Sequence, residues 1–183
     1  VYTKRTRTYC YFRWRAAYPS AQAIQNREAK LPLLRNRLNL LAEDTASRIL
    51  LGITRGIEKE SLRVTPAGTI AQTPHSSLLG SALTHPQITT DFSEALLEFI
   101  TPPSTNANEI LQTLEDIHRF TYQQIGNEIL WTSSMPCQLS GESDIPVGKY
   151  GSSNIGAMKH TYRLGLGHRY GRLMQTIAGI HYN

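Results

Sequence analysis

The sequence predicts an α+β fold built on a mostly antiparallel sheet. Three observations predict it. The segments Gly56–Val64, Phe92–Thr101 and Met174–Tyr182 are strand-like, alternating in polarity or running apolar over strand length. Ile110, Leu114, Ile117, Thr121 and Ile125 form one apolar stripe at helical spacing. Turn residues at Thr65–Gly68 and at Pro102 and Pro103 punctuate the strands.

The elements follow in order. Residues 32–51 carry Leu34, Leu38, Leu41 and Ala42 on one helical face, with Ala46 and Leu50 extending it, and read as one or two short helices. Gly56–Val64 reads as a strand, with Thr69–Gln72 returning after the turn. The apolar run to Thr101 stops at Pro102. Asn106 then caps a helix, with Glu109 three residues on completing a capping box, and Gly126 ends it. Ile129–Ser133 resembles another strand. Residues 140–156 read as loop, Lys159–Arg172 as a helix weakened by Gly165 and Gly167, and Met174–Tyr182 as a last strand.

Composition narrows the function classes. The 183 residues suit one domain or part of a larger one. The net charge of +5 is unevenly spread: residues 1–30 hold seven basic residues and one acidic, while the rest hold 12 basic and 13 acidic. A nucleic-acid role would rest on that basic arm alone, and no recognition motif accompanies it. The arm reads as a disordered or unrelated extension over residues 1–37. No apolar run is long enough to span a bilayer, and no apolar core follows the basic start as in a secretory signal. Cys10 and Cys137 are the two cysteines, and one lies in the arm. A structural disulfide is not expected, and a reducing cytoplasm is the simpler setting.

Acidic residues fall where apolar ones would be expected. On a strand Glu58 and Glu60 point to one face, about 7 Å apart, and repel by about 2 kcal/mol at an effective dielectric of 20. An exposed strand would leave both solvated; a divalent cation would reverse the sign of the interaction. Glu98 lies inside the apolar run from Ala95 to Ile100, where a carboxylate must be paired, protonated or bound to metal. Asp91 opens that segment, and Glu94 shares the expected face of Glu98. Gln175, Ile177, Gly179, His181 and Asn183 share a face of the last strand, and Gly179 leaves room beside His181. A lone histidine on a strand is more often an ordinary core residue. Taken together, acids and one imidazole on three strands suit Mg²⁺ or Mn²⁺ and not structural zinc. There is no Walker loop or dinucleotide fingerprint.

Arg55–Val64, Leu79–His85, Ile88–Pro102, Ser134–Cys137, Tyr150–Asn154 and Met174–Asn183 together resemble the proteobacterial glutamate–cysteine ligases, in order, from about Leu38 to the end. The resemblance implies that residues 38–183 are the N-terminal part of a catalytic domain like that of glutamine synthetase. Its sheet would be curled and mostly antiparallel, with helices on the outer side. It implies ATP-dependent joining of the L-glutamate γ-carboxyl to L-cysteine through γ-glutamyl phosphate, the first step of glutathione biosynthesis. By position, Glu58 and His181 would hold a metal near the ATP phosphates, and Glu60, Asp91 and Glu98 one near the amino acids. Phe92, Tyr162, Arg163, Leu166 and Gln175 would line the substrate pocket, chiefly for cysteine, with Arg163 facing a substrate carboxylate. Core packing is the alternative for Phe92 and Leu166. Family members are more than twice this length and carry further ligands beyond this region. The expectation is therefore little or no ligase activity from this polypeptide alone, with a C-terminal portion needed to complete it. A related ligase with another amine acceptor, or a non-functional fragment with a nucleic-acid-binding arm, remain the alternatives at this level.

Overall fold

The structure is a computed structural model that describes the backbone of Ala21–Asn183 and the side chains from Pro32 onward, Asp44 and Ala46 excepted. The expectations placed on residues 1–20, including Cys10, lie outside the described residues. The chain divides into two units, at Leu51 and Gly52. The first holds helices α1 (Ala21–Ala42) and α2 (Asp44–Leu51). The expected helical stretch is thus two helices. The first begins at Ala21 and runs through residue 37 without a break, with Pro32 inside it.

The second unit is an open antiparallel sheet with helices. Its strands are β1 (Ile57–Val64), β2 (Ile88–Thr90), β3 (Leu96–Ile100), β4 (Ile129–Leu130) and β5 (Ile180–Tyr182). β1 is central. One of its edges pairs with β3, which in turn pairs with β2. Its N-terminal residues pair with β5 and its C-terminal residues with β4.

The two faces of the sheet differ. Leu97 and Phe99 of β3 join Ile88, Leu130 and the helix residues Ile117 and Ile125 in one core. That helix, α3 (Ala107–Gln124), carries the expected stripe. Its cap differs in detail: the Asn106 side chain accepts from Asn108 N, while Glu109 receives Ser104 Oγ and Asn106 Nδ2. On the other face Leu62, Val64 and Leu96 pack with Phe92, Ile145 and Ala178.

Several expected strands are shorter than the sequence suggests. Phe92–Thr101 becomes a strand only at Leu96, because Asp91–Ala95 is a turn closed by Asp91 N to Leu96 O (3.0 Å) and Leu96 N to Ser93 O (2.8 Å). Met174–Thr176 forms a short turn of helix, so the last strand is Ile180–Tyr182 alone. Ile129–Ser133 contracts to two residues, and Thr69–Gln72 contributes only isolated bridges. Conversely, α4 (Asn154–Tyr170) starts inside the expected loop, because the Ser153 hydroxyl accepts from Gly156 N at 3.1 Å and caps it. Cys137 is buried and free.

Gly156 fixes how α4 leaves that cap. A Cβ there would strike the Tyr150 carbonyl oxygen and sit 2.9 Å from that of Gly151, both backbone atoms. Gly156→Ala is expected to cost about 1–3 kcal/mol as an overpacking change, read as a lower urea midpoint.

Candidate functional site

Register brings the expected acids together. In the β1–β3 ladder Glu60 stands opposite Glu98. In the β1–β5 ladder Glu58 stands opposite His181. The alternation of β1 places Glu58 and Glu60 on the face that carries Leu62 and Val64 further along the strand. So four of the five expected metal ligands share one sheet face, in two adjacent rows. The fifth, Asp91, opens the β2–β3 turn and adds its field to both Glu60 and Glu98.

Opposed carboxylates in a ladder are costly. Their Cβ atoms lie about 5 Å apart, and like charges there destabilise the pair. The site carries that signature. Burial raises the Glu60 carboxyl above its usual range, a Gly179 N–H bond to its Oε2 (2.6 Å) lowers it in part, and Asp91 and Glu58 raise it further. Glu98 is pushed up to about 7, first by burial, then by Asp91, Glu60 and Glu58, with His181 acting against them.

That shift has a defined sign. Folded Glu98 holds its proton to about pH 7, whereas its ordinary value is 4.5. The associated stability is present below pH 4.5 and is lost as pH rises through 7. Without added divalent cation, this group should lower the unfolding free energy by about 1–2 kcal/mol across that window, allowing for its partial exposure. Urea midpoints measured from pH 4.5 to 8 should show the fall, and Glu98→Gln should flatten it.

Asp91 is held from behind. The Tyr150 hydroxyl lies 2.5 Å from the Thr90 carbonyl and 2.6 Å from that of Asp91. Arg163 Nε donates to the Asp91 carbonyl at 2.5 Å, and its Nη2 stands 3.7 Å from the carboxylate. The guanidinium also lies 4.5 Å from the Tyr150 ring centroid. Arg163, expected to face a substrate carboxylate, is therefore engaged with Asp91 here. The sequence reading placed Tyr150 in a matched segment but gave it no site role. The approach is close: a Cβ at Gly148 would lie 3.1 Å from both the Asp91 carbonyl and the Tyr150 hydroxyl.

The remaining expected residues disperse. Phe92 is 1% exposed in the core, and Leu166 packs against the same cluster. Tyr162 is 61% exposed on α4. Gln175 lies in the turn at Met174–Thr176. Glu94 is a correction: it does not stand beside Glu98. It is buried in the turn, where its carboxylate accepts the His75 N–H (2.9 Å) and the Lys149 N–H (2.6 Å).

Gly179 does what its position suggests. A Cβ there would meet His181 Nε2 at 2.9 Å and Glu60 Oε2 at 3.4 Å. Gly179→Val should therefore displace the imidazole and weaken cation binding at least about tenfold, as read by Mn²⁺ titration.

The donor set suits a hard divalent cation: carboxylate oxygens and one imidazole, with crowded negative charge that a cation relieves. As placed, no three Asp, Glu, His or Cys side chains among the described residues close around a common point. The residues fit in chemistry without forming a finished coordination shell.

A family model described as glutamate-cysteine ligase matches residues 38–183. The chain is 63% identical over 150 residues to the glutamate–cysteine ligase of Alcanivorax borkumensis, covering 82% of this chain and 29% of that protein. It is 61% identical over 135 residues to that of Saccharophagus degradans, covering 74% and 26%. Among solved structures it resembles the Francisella tularensis glutamate–cysteine ligase in complex with AMP, with TM-score 0.69 and 45% identity over 70% of this chain and 26% of that one. It also resembles a bifunctional glutathione synthetase from Pasteurella multocida, with TM-score 0.68 and 34% identity over 78% of this chain and 18% of that one. The chain spans less than a third of the length of these relatives. With the family model spanning all of the sheet-bearing unit, the chain belongs to the glutamate–cysteine ligase family.

Proposed function

We propose that this chain forms the metal- and substrate-holding part of a cytoplasmic, ATP-dependent ligase that joins L-glutamate to L-cysteine. The product is γ-glutamylcysteine, on the route to glutathione. The observation that carries the reading is the pair of opposed rows on one sheet face, Glu60 with Glu98 and Glu58 with His181. A purely structural sheet gains nothing from a glutamate pair in direct cross-strand register.

Glu58 and His181 would hold one Mg²⁺ or Mn²⁺, and Glu60, Asp91 and Glu98 another. Bound there, the ions would neutralise the charge of the nucleotide phosphates. The chain's residues prepare that role. Gly179 N–H fixes one Glu60 oxygen. Tyr150 and Arg163 anchor the backbone of Asp91. Phe92, Tyr162, Arg163, Leu166 and Gln175 are assigned to the substrate pocket, chiefly its cysteine side, with Phe92 and Leu166 also packing in the core. In the reaction, the glutamate γ-carboxylate attacks the ATP γ-phosphorus, giving γ-glutamyl phosphate and ADP. The cysteine amine then displaces phosphate and loses a proton.

Titrating the chain with Mn²⁺, followed by paramagnetic resonance, tests the ligand assignment. Saturable binding that weakens at least about tenfold in both Glu60→Gln and Glu98→Gln is expected. A wild-type chain that binds no Mn²⁺ would overturn the assignment.

A further inference from the structure

A further concavity shares no lining residue with the acid rows. A cleft of about 500 Å³ opens between α4 and the segments around Gln72 and Pro146. None of the residues assigned to metal or substrates lines it. Pro74, Pro146, Val147 and Leu164 give it apolar walls, Lys149 and Arg172 bring cationic groups to the same space, and the His160 imidazole lies beside them. A few convergent polar groups in a mostly apolar cleft of this volume are the usual make-up of a small-molecule site.

Lys149 and Arg172 outnumber the one acid of the lining, and neither forms a salt bridge with it. Glu94 is the acidic residue of the lining, and both of its oxygens already accept backbone N–H groups. Arg172 donates Nη1 to the Ile145 carbonyl at 3.1 Å, which anchors one end of its fork and leaves further donors. His160 Nδ1 stands 2.7 Å from the Gly148 carbonyl. A carbonyl only accepts, so Nδ1 carries the hydrogen and Nε2 remains for a ligand. Lys149 is exposed and lines the cleft.

We propose that this cleft binds a small organic carboxylate with a compact apolar body, about the size of an acylated amino acid. The carboxylate meets Arg172 and Lys149, and the body lies along Val147 and Leu164. The planar guanidinium matches a carboxylate in two-point contact. The apolar walls favour such a ligand over a bare inorganic anion.

Calorimetric titration of the 183-residue chain with N-acetyl-leucine tests this, with N-acetyl-leucinamide and inorganic phosphate as comparisons. Saturable N-acetyl-leucine binding is expected, with the amide and phosphate about tenfold weaker or worse. Arg172→Gln should weaken it about tenfold, and Lys149→Gln severalfold. Arg119→Gln, which removes a surface cation on α3 paired with Glu115, should leave it unchanged. Lys149 is exposed, so its variant reports on the site even if Arg172→Gln disturbs the Ile145 loop. Heat that does not saturate overturns the proposal. So do an equally tight amide, phosphate binding as tightly as the carboxylate, or Lys149→Gln binding as wild type.

Discussion

Arg63→Ala is expected to lower the unfolding free energy by about 3–5 kcal/mol, the range for stranding one partner of a buried ion pair. Arg63 points away from the acid rows on β1 and is 2% exposed. Its Nη1 donates to Thr73 Oγ1 (2.5 Å) and Glu128 Oε2 (2.7 Å), and its Nη2 to the carbonyls of Thr73 (2.8 Å) and Glu94 (2.9 Å). One side chain thus ties β1 to the segment after its turn, to the β2–β3 turn and to the approach to β4. Truncation leaves Glu128, 13% exposed, without its cation, and strands two carbonyls. The double variant Arg63→Met with Glu128→Leu should recover much of the loss, because both charges then leave together. Urea unfolding of the single and double variants measures the coupling. A single variant within about 1 kcal/mol of wild type would show that water fills the space and satisfies these groups.

Phe99→Ala is expected to cost about 3–5 kcal/mol, the range for removing a buried ring. Phe99 is fully buried with Leu97, Ile88 and Ile117, and the His118 ring lies 4.7 Å away, tilted by 59°. The ring seats α3 against β3. Its neighbour Glu98 projects to the opposite face, so the same packing holds one of the proposed ligands in place. Mn²⁺ affinity should therefore fall along with stability in this variant, whereas Glu98→Gln should lose affinity and keep the fold. Measuring the urea midpoint and Mn²⁺ affinity in both variants separates the two effects.

The candidate site was legible in the sequence to different depths. The two-residue period put Glu58 and Glu60 on one face, and the apolar surroundings of Glu98 marked a carboxylate out of place. Glu94 misled, because the run Phe92–Thr101 has strand composition throughout. Ser93 carries local turn chemistry that competes with the ladder, its hydroxyl accepting from Ala95 N, and the Glu94 carboxylate is drawn off by backbone N–H groups 19 and 55 residues away. The sequence reading gave Arg63 no role. Nothing local signals that Thr73, Glu94 and Glu128 converge on it, since those partners lie 10, 31 and 65 residues away.

By itself the sequence determined the elements whose causes are local. These are the capped helix from Ala107, the alternation of β1, and the presence of acids on strands that also carry core residues. The tertiary structure decided which of those side chains meet. The pairings of Glu60 with Glu98 and Glu58 with His181 depend on ladder register, and a slip of one residue would send a strand's side chains to the opposite face. The hold of Tyr150 and Arg163 on Asp91 spans 59 and 72 residues of chain, contacts that exist only once the sheet and α4 have packed.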